Sequence, residues 1–386
     1  MASPKLSPRD WGTPPWNIAF APPPRDLPRE ADFVIVGAGF TGLAAAAWLR
    51  LLEPAKSVVV LEAGRVGNGA SGRTGGMALA ETAAGNLPGL GDVLAGVQGI
   101  LAGLEIDCDL LLPGAWEIGR SGGTGDSPIR WNDSGTLRVV GEVPGGTLDP
   151  GKLVSGLARA AQERGAVILE NHRLLEVRWN ARPVLAVAQG SSAEQTGEIT
   201  AGKILFATSA LSLALSGLVV GMNPKLTLAA RTAPLNNDRL HSLGLAGGKP
   251  FYTVDFPYLW GRTCPDNSIV WGAGLLDPPA SGNLEELSAA SPEARKMFAN
   301  FEKRVRRLHP ASAGLEFTHF WGGPILFRED WNGEPVFDWH PQTRHKQALV
   351  IGAFAGHGVA LSNYLGAWAA EVLLSRRGLP SWGKFW

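Results

Sequence analysis

Cysteine is scarce in this chain: Cys108 and Cys264 are the only two in 386 residues. They are too few and too far apart for a disulfide framework or a thiolate metal site, which fits a reducing, cytoplasmic compartment. Net charge is also missing. Thirty-five Lys and Arg stand against thirty-five Asp and Glu, so no global field recruits nucleic acid or an anionic membrane. Only 18% of residues are charged while 45% are apolar, which excludes disorder as the main state and supports two domains or one elaborate domain. His340 and His345 lack a suitably placed carboxylate on a clear helix, so no metal site is expected. Gly69-Ala70-Ser71-Gly72-Arg73 lacks the final glycine of a hydrolase nucleophile elbow. Residues 146–152 fit the first seven positions of a phosphate-binding loop, but Leu153 stands where a hydroxyl must bind magnesium, and Pro150 removes an amide from the cradle. There are no internal repeats of solenoid type. The basic run of Lys303, Arg304, Arg306 and Arg307 reads as a solvated helix face rather than an RNA site.

A secretory leader is not legible either. The first thirty residues carry eight prolines without the apolar stretch of a signal, and residues 1–29 are expected to form an extended arm. Residues 204–224 run without a charge over nearly the length of a spanning helix. However, 203–207 ends an alternating strand-like region, and Thr208, Ser209, Ser212 and Ser216 interrupt the run, so a buried strand, loop and short helix are expected instead of a transmembrane span. What the chain has in abundance is glycine, fifty residues, and tryptophan, fourteen. The first suggests close backbone approach to a ligand and the second apolar, π-rich cavities.

The glycines concentrate where they carry chemistry. Phe33-Val34-Ile35-Val36 reads as a strand buried on both faces of a parallel sheet. Gly37-Ala38-Gly39-Phe40-Thr41-Gly42 follows, then a run of helix formers ending near Pro54. In this arrangement Gly37 makes the turn, Gly39 leaves room for a phosphate and Gly42 lets helix pack on strand, while helix N-terminal amides bind the anion. Residues 56–62 form a second strand ending in Glu62, twenty residues past Gly42, where a carboxylate can accept both ribose hydroxyls. An acid there disfavours a 2′-phosphate, leaving NAD or FAD. The glycine-dense loop over residues 63–77 is longer than a turn requires and suits a large planar ligand.

At this loop the chain resembles the flavin-dependent amine and D-amino-acid oxidase family, which includes glycine oxidase, sarcosine oxidase and the gamma-glutamylputrescine oxidoreductases. Gly69-Ala70-Ser71-Gly72-Arg73 with Gly75-Gly76 is most like the last group. The resemblance implies FAD, contacted along its pyrophosphate, ribityl chain and ring by Ala70, Ser71, Arg73, Thr74, Gly75, Gly76 and Met77. It adds Gly37, Gly39, Phe40, Thr41, Gly42, Glu62, Ala63 and Arg65 from the first two strands and their turns. Later blocks keep the family's order. Residues 147–153 lead into a helix with Asp149 and Pro150 at its start, and a strand over 173–179 brings the Val177 backbone to the adenine. Residues 203–210 match a strand ending in Ala-Thr-Asn-Ala, with Ser209 for asparagine, and supply Ala207 and Thr208. Strand 348–354 then leads to Gly356, His357, Gly358, Val359 and Ala360 at the start of a helix, whose amides are placed to stabilise the N1–C2=O edge of reduced flavin.

The implied fold is α/β plus α+β: a Rossmann-like FAD-binding domain from residues 30–78, 146–212 and 320–386, with a mostly antiparallel-sheet substrate domain from 79–145 and 213–319. Residues 251–262 and 268–272 read as paired aromatic strands joined by a turn at Pro265-Asp266-Asn267. Tyr258, Trp260, Arg262, Trp321 and His357 are the candidate catalytic residues, with no acid or base compulsory. The implied reaction is oxidation of a primary or secondary amine: hydride leaves the α-carbon for flavin N5, and the resulting imine hydrolyses. Oxygen or another acceptor then takes the electrons. Trp321-Gly322-Gly323-Pro324 lacks the arginine that amino-acid-oxidising relatives use on a carboxylate. This favours amines, with Arg262 and Arg328 as substitutes in an alternative amino-acid oxidase or dehydrogenase. A second alternative is a noncatalytic or partner-dependent flavin-binding subunit. Neither cysteine lies in the late region where relatives attach flavin, so FAD is expected to be noncovalent.

Overall fold

A computed structural model describes residues 10–123, 125–190, 195–343 and 345–386. The predicted first strand is Glu30–Val36, with Val58–Leu61 parallel on one side and Gln195–Phe206 parallel on the other. The sheet extends in parallel to Val167–Leu169 and to Ala348–Gly352. Val336–Trp339 closes one edge antiparallel, and the hairpin of His172–Arg178 and Val184–Gln189 grows from the extended end of Gln195–Phe206. Both faces of the first strand are buried, as its unbroken apolar run requires. Phe33 and Ile35 pack under the helices Phe40–Leu52, Pro150–Glu163 and Gly358–Leu373. Val34 and Val36 face the opposite cluster with Ile204, Leu226 and Leu326.

Helix Phe40–Leu52 starts directly after Gly39 and stops before Pro54. Its fit to the sheet depends on the absence of side chains. A Cβ on Gly42 would lie 2.0 Å from the Gly37 carbonyl oxygen, and one on Gly366 of the closing helix would lie 2.5 Å from the Thr41 carbonyl oxygen. Helix Pro150–Glu163 begins as expected, with the Asp149 side chain accepting from the Lys152 amide at 2.8 Å and Pro150 in the first position.

The second sheet runs Phe317–Arg328, Met222–Thr232, Ile269–Leu276, Trp260–Thr263, Phe251–Thr253, Ala115–Gly119, Thr136–Val143, Trp131–Asn132. All of these pairs are antiparallel except Phe251–Thr253 with Ala115–Gly119, which makes the sheet mixed. Helices Asn237–Leu243 and Pro292–Arg307 contribute to an aromatic core on one face, with Phe251, Trp271 and Trp131 at its centre. The other face turns towards the first sheet. Register sets a row across it: Glu117, Tyr252, Trp260, Gly272, Ala229 and Trp321 are successive partners. Because side chains alternate along each strand, this row shares one face while its sequence neighbours build the core behind.

Three sequence expectations change in the structure. The aromatic strand over 251–262 is two strands, Phe251–Thr253 and Trp260–Thr263, parted by a loop containing Pro257, which lacks the amide a ladder needs. Residues 320–328 continue the second sheet, because Phe317–Arg328 pairs along its length with Met222–Thr232. Helix Val93–Gly103, expected beside that sheet, instead packs its Val93, Val97 and Ile100 into the cluster under the first sheet. Residues 204–224 end a strand, turn, form the short helix Leu213–Ser216 and enter the next strand. Among the described residues no helix is long and apolar enough to cross a membrane.

The proline-rich segment is extended, yet it is built into the interior. Trp11 is fully buried, the Gly322 amide donates to its carbonyl at 2.7 Å, and Gly12 bridges Trp321. Trp16 donates from Nε1 to the Gly72 carbonyl at 2.6 Å and meets Trp321 edge-on at 5.4 Å.

Candidate functional site

A single cavity runs from the end of Val58–Leu61, across the start of Phe40–Leu52, to the start of Gly358–Leu373. The predicted residues Gly37, Gly39, Phe40, Thr41, Glu62, Ala63, Ala70, Ser71, Arg73, Thr74, Gly75, Ala207, Thr208, Gly356, Gly358 and Val359 line it. Gly42 lies beneath the floor, where it seats helix on strand. Arg65 is exposed, and Gly76, Met77, Val177, His357 and Ala360 do not reach the wall. The strand expected to present Val177 presents His172, Arg173 and Leu174 instead. Sequence reasoning also missed residues 209–212 and 323–326, Thr227, Ala229, Phe354, Ala355 and Ser362. These come from strand ends whose proximity only the long-range pairing creates.

At one end of the cavity Glu62 is almost completely buried. Its Oε2 accepts from the Ala38 amide at 3.0 Å and its Oε1 from the Gly64 amide at 2.8 Å, so one carboxylate joins both turns. In the middle, Ser71 Oγ accepts from the Phe40 amide at 2.8 Å, doing from the long loop what Gly39 cannot do as the helix N-cap. A Cβ on Gly39 would come within 2.8 Å of that hydroxyl. Glycine therefore keeps open the passage between helix and loop. At the far end Ala355 adopts φ +48° and Ala353 φ +58°, while Ser209 and Ser212 opposite have φ +50° and +55°. Non-glycine residues in the left-handed region are costly, and such residues cluster at ligand clamps.

Two candidate catalytic residues turn out to hold the loop in place. Trp321 Nε1 donates to the Arg73 carbonyl at 2.9 Å, and Arg262 donates from Nε to the Gly75 carbonyl. Arg262 is buried, and burial pushes its guanidinium below the ordinary range. Trp260 does line the cavity: its ring lies so close over Gly75 that a Cβ there would sit 2.2 Å from it. Arg73 turns away to donate from Nη1 to the carbonyls of Gly12 at 2.9 Å, Gly322 at 3.1 Å and Trp11 at 3.3 Å. Tyr258 sits outside the cavity, exposed and stacked on Phe256 at 4.2 Å. His357 occupies the N-cap of the closing helix, and burial lowers its pKa, which favours neutral imidazole.

Several polar atoms on the cavity wall await a partner. Thr208 Oγ1, Ser362 Oγ and His172 Nε2 are sealed from solvent and make no hydrogen bond among the described residues. Buried polar groups are normally paired, so three orphans along one cavity indicate a missing polar ligand. The spacing suits an elongated molecule with a polar backbone: a carboxylate at one end, a helix start in the middle and a second helix start with an aromatic wall at the other.

Comparison with known proteins agrees with this geometry. The family model described as "DAO: FAD dependent oxidoreductase" matches residues 32–372. The "Probable oxidoreductase OrdL" of Rhizobium meliloti (strain 1021) is 25% identical, over 90% of this chain and 84% of its own. The "Gamma-glutamylputrescine oxidoreductase" of Escherichia coli (strain K12) is 24% identical, over 89% of this chain and 83% of its own. In fold the chain is similar to the crystal structure of glycine oxidase from Geobacillus kaustophilus, with TM-score 0.67 at 20% identity over 91% of this chain and 96% of that one. With its strand, turn and cavity all falling inside a family match that spans nearly the whole molecule, the chain belongs to the DAO family of FAD-dependent oxidoreductases.

Proposed function

We propose that the cavity holds FAD noncovalently and that the protein oxidises the C–N bond of a primary or secondary amine. The fit of FAD rests on the three orphaned polar atoms, the open Gly39 passage and Glu62 at the ribose end. When bound, FAD supplies the two-electron acceptor. The chain's own contribution is positional. Amides at the start of Gly358–Leu373 bring the positive end of a helix dipole to the cavity, and Trp260, Ala229 and Phe354 exclude water from it. A neutral amine held against these walls needs no side-chain base, and its oxidised imine hydrolyses after release. Cytoplasmic residence belongs to the same reading.

One observation carries the choice of amine over amino acid: the arginines are already committed. Arg262 holds the Gly75 carbonyl, Arg73 the arm and Gly322, and Arg173 forms a two-point ion pair with Glu285 at 3.2 Å. Arg328 faces Asp330 at 3.6 Å. A substrate carboxylate would have to break one of these arrangements to obtain a fork. In an anaerobic titration, alkylamines are expected to bleach the visible flavin band faster than glycine, sarcosine or D-alanine. Faster bleaching by the amino acids would reverse the assignment, and a yellow protein inert to every compound would point to a noncatalytic subunit.

Noncovalent attachment has its own support. Cys108 and Cys264 are both buried and neither lines the cavity, and burial, ahead of the neighbouring Asp107, Asp109 and Asp149, pushes the Cys108 thiol up to about 12. A thiol held protonated is a poor nucleophile. Acid precipitation should leave all yellow colour in the supernatant; colour retained in the pellet would contradict the reading.

A further inference from the structure

The row across the second sheet continues past the cavity. Trp260 pairs in register with Tyr252, and Tyr252 with Glu117. The Tyr252 hydroxyl donates to Glu117 Oε1 at 3.1 Å. Glu81, two residues beyond the short strand Met77–Leu79, is hydrogen-bonded to the same phenol. A phenol has one proton and cannot donate to both carboxylates. The cations on the neighbouring strand ends do not help. Arg120 is bound to Asp133 and Asp255, and Lys249 to Glu142. Burial, with Glu117's charge next, holds Glu81 above the usual carboxylate range. Burial and the two carboxylates likewise raise Tyr252, keeping it a donor.

A second observation, independent of the carboxylates, marks the same place. His357 sits between Gly356 and Gly358, which line the cavity, and its ring stands edge-on to Tyr252 with centroids 6.2 Å apart. Its Nδ1 is sealed from solvent and makes no hydrogen bond among the described residues. A sealed ring nitrogen beside an under-neutralised carboxylate pair lacks a partner that carries N–H groups and positive charge.

Resting on the amine-oxidising reading above, we infer that Glu81, Glu117 and Tyr252 form a cation subsite beside the cavity that takes the second, non-reacting ammonium of a diamine. The reacting nitrogen must be neutral to release hydride from its α-carbon, and a pair of carboxylates would hold it protonated. The subsite therefore suits the far end of the substrate, with the neutral end passing His357 and Trp260 into the cavity.

The test compares 1,4-diaminobutane with n-butylamine, which has the same carbon chain and one charge fewer. Calorimetric titration of dithionite-reduced holoprotein, in which no turnover follows binding, should show the diamine bound about tenfold more tightly, the scale of a charged hydrogen bond. In the isosteric double variant Glu81→Gln, Glu117→Gln that ratio should fall to near one. Equal affinities in the wild type, or a ratio that survives the double substitution, would overturn the subsite. Should the double variant not fold, each single glutamine variant must lower the ratio, and the wild-type ratio must shrink from low to high salt; a ratio indifferent to both overturns it equally. Oxidised holoprotein separates the two ideas. A diamine preference without bleaching by either amine upholds the subsite and removes the amine-oxidising reading, whereas bleaching by both at equal affinity does the reverse.

Discussion

Removing residues 1–17 is expected to yield a protein that melts well below the full chain and purifies with little flavin. Trp11 is completely buried, and truncating such a side chain to alanine costs about 3–5 kcal/mol by itself. The deletion does more, because two of the three carbonyls that Arg73 Nη1 reaches belong to Trp11 and Gly12. Weakening the solvation of a buried guanidinium is strongly destabilising. Arg73 lies inside the loop that lines the cavity, and Trp16 holds the neighbouring Gly72 carbonyl. The loop therefore loses its support on the side away from the ligand. Thermal melting and the ratio of flavin to protein absorbance read the two effects separately. A truncated protein that keeps the wild-type melting point and its full flavin content would show that the arm is decoration.

The second large effect is expected from one added methyl group. Gly272→Ala places a Cβ 1.9–2.0 Å from the nearest atoms of the Trp260 ring, a distance no relaxation of the backbone absorbs. The ring cannot retreat towards the loop, since it already lies against Gly75. It must therefore swing out of the cavity wall or push the loop away. Overpacking of this kind costs about 1–3 kcal/mol of stability, but the larger loss falls on flavin reduction. Displacing a positioning group by about 1 Å can lower a rate roughly 100-fold. Stopped-flow reduction by the best amine measures it. Gly247→Ala serves as control, because a Cβ there meets nothing within 4 Å. Reduction of Gly272→Ala at the wild-type rate would mean that Trp260 has no part in holding the substrate.

What the sequence made legible is what lies close together along it. Gly37, Gly39 and Gly42 with Glu62 specify a strand, a turn, a helix and a second strand within some thirty residues, and the structure has all four in place. The Asp149-Pro150 helix start and the strand before Gly356 were readable for the same local reason. Arg262 and Trp321 were not. Each acts on a carbonyl of the long loop, 187 and 248 residues away in sequence, and nothing near either residue signals that partner. Their indole and guanidinium groups suggested chemistry, whereas the pairing of Ala229 with Trp321 and of Trp260 with Gly272 turns them into supports. The shift from Val177 to His172, Arg173 and Leu174 has a related cause. A strand's pattern shows where it runs but not which of its residues ends up beside the ends of other strands. Glu81 and Glu117 carried no signal at all, because a carboxylate on a strand reads as solvated until its neighbours are known.

The cavity takes its walls from Val36 at one extreme of the chain and Ser362 at the other. On a ribosome adding about 5–20 residues per second, roughly 15–65 s separate the appearance of those two positions. Throughout that interval the first strand has no completed nucleotide site, and Thr41 waits for Gly366 to arrive against its carbonyl. FAD thus has nothing to bind until the final helix leaves the exit tunnel. The cell's flavin supply then acts on a nearly finished apoprotein, so vitamin shortage would be felt as an accumulation of full-length, colourless chains and not as a failure of early folding.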